Sequence, residues 1–179
     1  MRRFLILVLV GCGSSTPVAS APPKPVPGDA AEAAADDADD WPGFATEAIG
    51  GLRPGLTAAE ATAKLGPPRA QSPGVLEGAT GGYASTWSFA DGVTLEMLGD
   101  TETGPFVARM VTIEAPSALR TTKGLGIGSA TAEIATAYGS WAKPLDDGTG
   151  WLVGSPYAGL LFAVTNGKVT SISLGPFAF

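Results

Sequence analysis

The sequence of 179 residues has no histidine and a single cysteine. These absences exclude catalysis by histidine, zinc sites built from cysteine and histidine, and a disulfide bond within one chain. Lysine and arginine number 11 against 17 aspartate and glutamate residues, which argues against binding to nucleic-acid phosphates. No apolar run approaches the roughly 20 residues that a membrane-spanning helix needs. We therefore expect no catalytic residue, no metal site and no cofactor.

The N-terminus carries the pattern of a short signal peptide. Arg2 and Arg3 form a positively charged start, and residues 4–10 are all apolar. An apolar segment of this length is typical of the core of a signal peptide, and it is too short to cross a bilayer. The sequence therefore predicts an exported protein.

The chain's one cysteine follows this apolar segment, in the order Leu9, Val10, Gly11, Cys12. The pattern resembles the lipobox of bacterial lipoproteins, in which an aliphatic and a small residue precede a lipid-bearing cysteine. The resemblance implies that a signal peptidase recognises Leu9, Val10 and Gly11 and removes residues 1–11. It also implies that acyl chains on Cys12 anchor the protein durably in a membrane of the cell envelope. An ordinary secretory signal with an incidental cysteine is the alternative.

The residue after Cys12 bears on which membrane carries the anchor. In the enteric sorting rule an aspartate at this position retains a lipoprotein at the inner membrane, and here the position is Gly13. We therefore favour the outer membrane, with the protein facing the periplasm or the cell surface.

Residues 12–40 differ in composition from the remainder of the chain. Proline, alanine, serine and aspartate dominate, and aromatic residues are absent. Such a segment buries too little apolar surface to offset the entropy lost on ordering, so we expect a disordered tether. Its aspartate cluster lacks the glycine turn and ligand spacing of a calcium loop. A solvated spacer is therefore favoured over a metal site.

The remaining residues contain an internal repeat. Residues 55–66 align without a gap to residues 128–139, and glycine opens and closes both blocks. Each block has the pattern of a short helix. The alignment predicts two tandem α+β repeats, residues 41–116 and residues 117–179, that form either one core or two.

The helix starts predict two different caps. Thr57 and Glu60 have the spacing of a capping box, in which each side chain accepts a hydrogen bond from the other's backbone N–H. The second block has no threonine at the matching position, so Ser129 or Thr131 is expected to cap that helix. The closing glycines suit the left-handed conformation that ends many helices.

Alternating apolar residues predict an antiparallel hairpin in each repeat. In the first, a three-residue loop at 90–92, a type I turn with a left-handed glycine, pairs Trp87 with Leu95. In the second, the same loop at 165–167 places Phe162 opposite Thr170. The predicted fold class is therefore α+β, each repeat being a short helix or helix pair packed on an antiparallel sheet of three or four strands.

The helical block, ending in Leu65, Gly66 and Pro67 and followed by a hairpin, is similar to the small lipoprotein subunit of the bacterial β-barrel assembly machinery. Two tandem copies resemble the β-lactamase inhibitor protein. The resemblance covers roughly residues 44–179 and implies helices packed on a sheet. The disulfides of that inhibitor have no counterpart in this chain.

The aromatic residues fall into two groups. Trp87, Phe89 and Phe162 lie on alternating strand positions, so we expect them in the core. Exposed tryptophan and tyrosine are enriched in binding surfaces. Three residues near predicted loops or ends are therefore candidates for such a surface or for the ends of the core: Trp41, Trp141 and Tyr157.

These features together predict a membrane-anchored, non-catalytic module that binds a protein partner of the envelope. Two alternatives stay open. One is a module that binds glycans or small molecules through exposed aromatic residues. The other, implied by the resemblance, is an enzyme inhibitor of the β-lactamase-inhibitor type. The glycine-rich stretch at 124–129 lacks the spacing of a phosphate-binding loop, so we interpret it as structural.

Overall fold

The computed structural model describes residues 41–177, which contain two α-helices and nine β-strands. Helix α1 spans Ala58–Leu65 and helix α2 spans Thr131–Tyr138. The predicted signal peptide, lipobox and tether lie outside the described residues. The strands are β1 (Ala70–Gln71), β2 (Val75–Leu76), β3 (Tyr83–Ser88), β4 (Val93–Gly99), β5 (Phe106–Glu114), β6 (Ala142–Pro144), β7 (Gly150–Gly154), β8 (Gly159–Thr165) and β9 (Lys168–Gly175).

All nine strands pair antiparallel in one sheet, in the order β1-β3-β4-β5-β9-β8-β7-β6, with β2 beside β1 on β3. Strands β5 and β9 meet in the middle, where residues 111–114 pair with residues 171–174. The mixed α and antiparallel β class is confirmed. The strands of the two predicted repeats join in one continuous sheet.

Strand alternation gives this sheet two unlike faces. Along β4, Val93, Leu95 and Met97 are buried, and the residues between them are half-buried. Ala61 of α1 and Ile134 of α2 belong to the same buried cluster as these β4 side chains. Both helices therefore pack on one face of the sheet and share one core.

The two helices begin differently. The predicted capping box of α1 is confirmed: the Thr57 hydroxyl accepts from the Glu60 N–H at 3.3 Å, and Glu60 Oε2 accepts from the Thr57 N–H at 2.8 Å. The prediction for α2 was wrong. Its N-cap is Ala130, which has no hydroxyl, and Glu133 alone accepts from the Ala130 N–H.

The hairpin between β3 and β4 has the predicted register and a different turn. Trp87 lies opposite Leu95, as expected. Both Asp91 and Gly92 adopt positive φ angles, 55° and 68°. Positive φ angles at both central residues are typical of a type I′ turn and not of the predicted type I turn. Type I′ turns are favoured in hairpins because their backbone twist matches that of the flanking strands.

The register predicted for the second hairpin was wrong. Asn166 and Gly167 form a two-residue turn with φ angles of 52° and 73°, so Thr165 pairs with Lys168. A bulge between Ala163 and Val164 then shifts the ladder. Phe162 consequently lies opposite Ile172 instead of Thr170, and stays buried.

Candidate functional site

The face of the sheet opposite the helices is open across residues 41–177. Strand registers place half-buried and exposed side chains on it, and none of those named below is fully buried. We call this surface the outer face. It includes Ala84, Thr86, Ser88, Thr94, Glu96, Leu98, Val107, Met110, Thr112, Glu114, Lys143, Leu152, Leu161, Ala163, Ser171 and Ser173.

A bulge in β5 holds a cation beside the outer face. Glu96 pairs with Met110 and Met97 with Ala108, which leaves Arg109 as the extra residue. The Arg109 guanidinium donates to Glu77 at 2.6 Å and also to Glu96. The hydrogen bond with Arg109 lowers the pKa of the Glu77 carboxyl, and the same bond raises the pKa of Arg109. The single cation pairs with two carboxylates, so this cluster keeps one net negative charge.

The centre of the outer face lies where β5 meets β9. Thr112 pairs with Ser173, and their hydroxyl oxygens are 2.9 Å apart. Ser171 and Leu161 lie on the neighbouring positions of β9 and β8. The centre is therefore built from short, uncharged side chains.

The three aromatic residues that were candidates for a binding surface differ in their exposure to solvent. Trp141 and Tyr157 are exposed, at 38% and 80%. Trp41 is buried, because it packs edge-on against Tyr138 with ring centroids 5.6 Å apart. Trp41 thus fits the second of the two alternatives left open by the sequence, an end of the core. Ala142 pairs with Val153, so Trp141 lies at the end of β6 next to the loop that carries Tyr157.

A groove of about 1050 Å³ opens on the helix-bearing side, beside β3, β4 and β5. Trp87 and Phe106 line it, with their rings in an edge-on arrangement at 6.1 Å. Trp87 was expected in the core, yet it is only half-buried. Its ring lies at the groove, within reach of solvent.

Two loops bound this groove, and glycines let their backbones approach. A Cβ on Gly74 would lie 2.4 Å from the Glu102 carbonyl oxygen, and one on Gly99 would lie 2.9 Å from the Phe106 ring. Such distances are not seen for real side chains, so both positions require glycine. Sequence reasoning missed the groove, although a glycine ending a regular strand at Gly99 was a usable signal.

A buried carboxylate ties the start of the folded part to α2. Glu47 Oε1 accepts from the N–H groups of Ala48 at 3.1 Å and Thr122 at 2.7 Å. Glu47 Oε2 accepts from the Tyr138 hydroxyl at 3.2 Å. Burial raises the pKa of that hydroxyl, and the neighbouring Glu47 raises it further. Each oxygen of the Glu47 carboxylate thus accepts a hydrogen bond from the protein itself, so we assign this cluster to stabilising the fold and not to binding a ligand.

No helix within residues 41–177 is long and apolar enough to span a membrane. The same residues hold no cluster of acidic or cysteine side chains suited to a metal ion. Leu9, Val10, Gly11 and Cys12 lie outside the described part of the chain. Comparison with family models, with curated proteins and with solved structures found no match.

Proposed function

We propose that this chain is a lipid-anchored protein of the bacterial envelope whose folded part binds a protein partner and catalyses no reaction. The observation that supports partner binding is the open outer face of the sheet. The lipobox pattern around Cys12 supports the anchoring half, and Gly13 favours the outer membrane.

The outer face is large enough for a protein partner. Its nine strands contain 49 residues. A spacing of about 4.8 Å between strands and a rise of about 3.3 Å per residue give a sheet area of roughly 780 Å². This area is close to the ~800 Å² that each partner buries in a standard protein interface.

The composition of the outer face also supports this role. Interface cores contain few charged residues, and their rims are polar. At the centre of this face Thr112 and Ser173 satisfy one another. The exposed charges lie at its margins, because Glu114 ends β5 and Lys143 belongs to the edge strand β6. A partner centred on β5 and β9 would therefore displace little strongly hydrated charge.

We further propose that the outer face combines equivalent strands of two tandem repeats. The residues before each helix pair with the matching strand: Ala108 of β5 accepts from the Gly55 N–H, and Val169 of β9 accepts from the Gly128 N–H. Both β4–β5 and β8–β9 contain one bulge. Superposition of the two halves in an experimental structure tests the proposal, and unmatched strand order would contradict it.

Photocrosslinking in living cells tests the binding half. Benzoylphenylalanine placed at Thr94 or Ser171 should yield an adduct with one discrete envelope protein. Ala63, exposed on α1 on the other side of the sheet, is the matched control and should yield little adduct. Equal adducts from all three positions, or none from Thr94 and Ser171, would overturn the assignment of the outer face.

Substitution of Cys12 tests the anchoring half. Cys12→Ala should abolish fatty-acid labelling and move the protein from the membrane fraction to the soluble fraction. Gly13→Asp should keep the label and shift the protein to the inner membrane. A Cys12→Ala protein that is still labelled and membrane-bound would show that the lipobox interpretation is wrong.

A further inference from the structure

We propose that the groove beside Trp87 is a second binding site, which takes an extended peptide segment of a partner protein through a lysine or arginine side chain. This site is distinct from the outer face. Ser85 and Trp87 pair with Met97 and Leu95, whose side chains face the core, so the groove opens on the helix-bearing side.

Apolar surface gives the groove its capacity to bind. Trp87, Pro105 and Phe106 line it on the helix-bearing side, and Leu98 and Val107, whose register places them on the outer face, border it at the sheet. The Trp87 indole N–H is already bonded to Ser85 at 3.0 Å. The ring is thereby held in place, and its apolar atoms remain for contact with an aliphatic side chain.

Charge selects the kind of peptide. Among the described residues, the charged side chains that line the groove are both carboxylates, Asp100 and Glu102, and both are exposed. A cation beside aromatic rings gains both ion pairing and attraction to the ring faces. A lysine or arginine flanked by apolar residues therefore complements the groove, whereas an acidic segment would be repelled.

The groove is formed before any partner arrives. The Glu102 backbone packs over Gly74, and the Phe106 ring packs over Gly99. A preformed site loses less conformational entropy on binding than a site that must be ordered. Its volume of about 1050 Å³ lies at the upper end of small-ligand pockets, and an extended segment fills such a groove better.

Titration with synthetic peptides tests this site. The probe is a blocked hexapeptide that alternates leucine and arginine, and its control has glutamine in place of each arginine. Calorimetry on the folded chain should show binding of the arginine peptide that weakens with added salt. Asp100→Asn combined with Glu102→Gln should raise its Kd roughly two- to thirtyfold, the range that two exposed ion pairs supply.

A glycine pair tests the shape of the groove. Gly99→Ala should displace Phe106 and weaken peptide binding, whereas Gly78→Ala has open space around it and should leave the Kd unchanged. Near-ultraviolet circular dichroism checks that each variant is folded. The charge variants at Asp100 and Glu102, which are exposed, decide the question if Gly99→Ala does not fold.

Three results would overturn the proposal. The first is equal affinity for the arginine and glutamine peptides, and the second is a Kd unaffected at Asp100 and Glu102. The third is binding of a neutral oligosaccharide, such as chitotetraose, in place of the peptides. Ser171→Arg on the outer face should abolish the Thr94 crosslink and leave the peptide Kd unchanged, so the two sites fail independently.

Discussion

The two helices pack on the same face of the sheet, but their last apolar residues differ. Leu65 ends α1 and is half-buried, whereas Tyr138 ends α2 and is buried against Trp41 and Phe162. The space beside α2 is filled by these rings. Beside α1, Trp87 and Phe106 line an open groove.

The difference arises outside the helices themselves. Residues 41–49 run to the second half of the fold, where Ile49 bridges to Thr121 and Glu47 contacts Thr122 and Tyr138. In the first half the same segment lies beside Gly55 and Glu60, through Phe44 and Ala45, and not beside the groove at Trp87. Similar local sequences can thus lead to a packed region in one half and an accessible region in the other, because a distant segment decides which is filled.

The largest expected effect is at the ring that fills the second half. Tyr138→Ala should lower the free energy of unfolding by about 3–5 kcal/mol, the usual cost of removing a buried aromatic ring. Leu65→Ala, at the matching position of α1, should cost less than about 2 kcal/mol because Leu65 is half-buried. Chemical denaturation measures both. Equal losses would show that the two halves are packed alike.

The next effect concerns the carboxylate that holds residues 41–49 in place. Glu47→Ala leaves the donors on Thr122 and Tyr138 without their acceptor and should cost about 1–3 kcal/mol. Glu47→Gln retains an acceptor oxygen for the backbone N–H groups and serves as the control. It should cost clearly less in the same denaturation experiment, and a cost as large as that of alanine would contradict the assigned hydrogen bonds.

Alkaline pH should weaken the second half selectively. Burial raises the pKa of Tyr138 above its ordinary value, so the folded chain keeps a proton that the unfolded chain releases near pH 10. Stability due to this group is complete below pH 10 and falls above it, by at most about 1.4 kcal/mol per pH unit. Tyr138→Phe should lack this component of the decline. Parallel curves for the two proteins between pH 9 and 11 would refute it.

The smallest effects are at the helix starts. Thr57→Ala removes the cap of α1 and should cost about 1 kcal/mol, whereas Ala130→Ser supplies a missing cap to α2 and should gain about 0.5–1 kcal/mol. Thermal unfolding of the two variants and the parent measures both changes. The Thr131 and Glu133 N–H groups already donate to the carbonyls of Gly167 and Ala130, so a neutral or destabilising Ala130→Ser would show that these bonds suffice to start α2.

Local signals predicted much of the fold. The glycine-bounded blocks became α1 and α2, and the alternation at Trp87 and Leu95 became a ladder in the expected register. The register of the second hairpin was mispredicted for two reasons. Its turn has two residues instead of three, and a bulge leaves one residue of β9 unpaired. Each change moves the pairing by one position along β9, so Phe162 lies opposite Ile172 and not Thr170. Thr170 is the residue that the bulge leaves unpaired.

Exposure was harder to predict than secondary structure. Trp141 and Tyr157 are exposed, as a binding surface requires, but Trp41 is buried. Trp87, which was expected in the core, is only half-buried. Alternation specifies which face of a strand a side chain occupies, and it does not specify what covers that face. For Trp41 the cover is Tyr138, far along the chain, whereas Trp87 lies at an open groove beside Phe106.

The seam between β5 and β9 has a consequence for folding kinetics. It joins residues 111–114 to residues 171–174, a far longer loop closure than any hairpin in this sheet. Contacts of such separation form slowly because closing the loop costs entropy before any contact repays it. During synthesis β5 therefore has an unpaired edge until β9 has been made. A second nascent chain that supplied its own β9 in that interval would exchange halves with the first, giving a domain-swapped dimer.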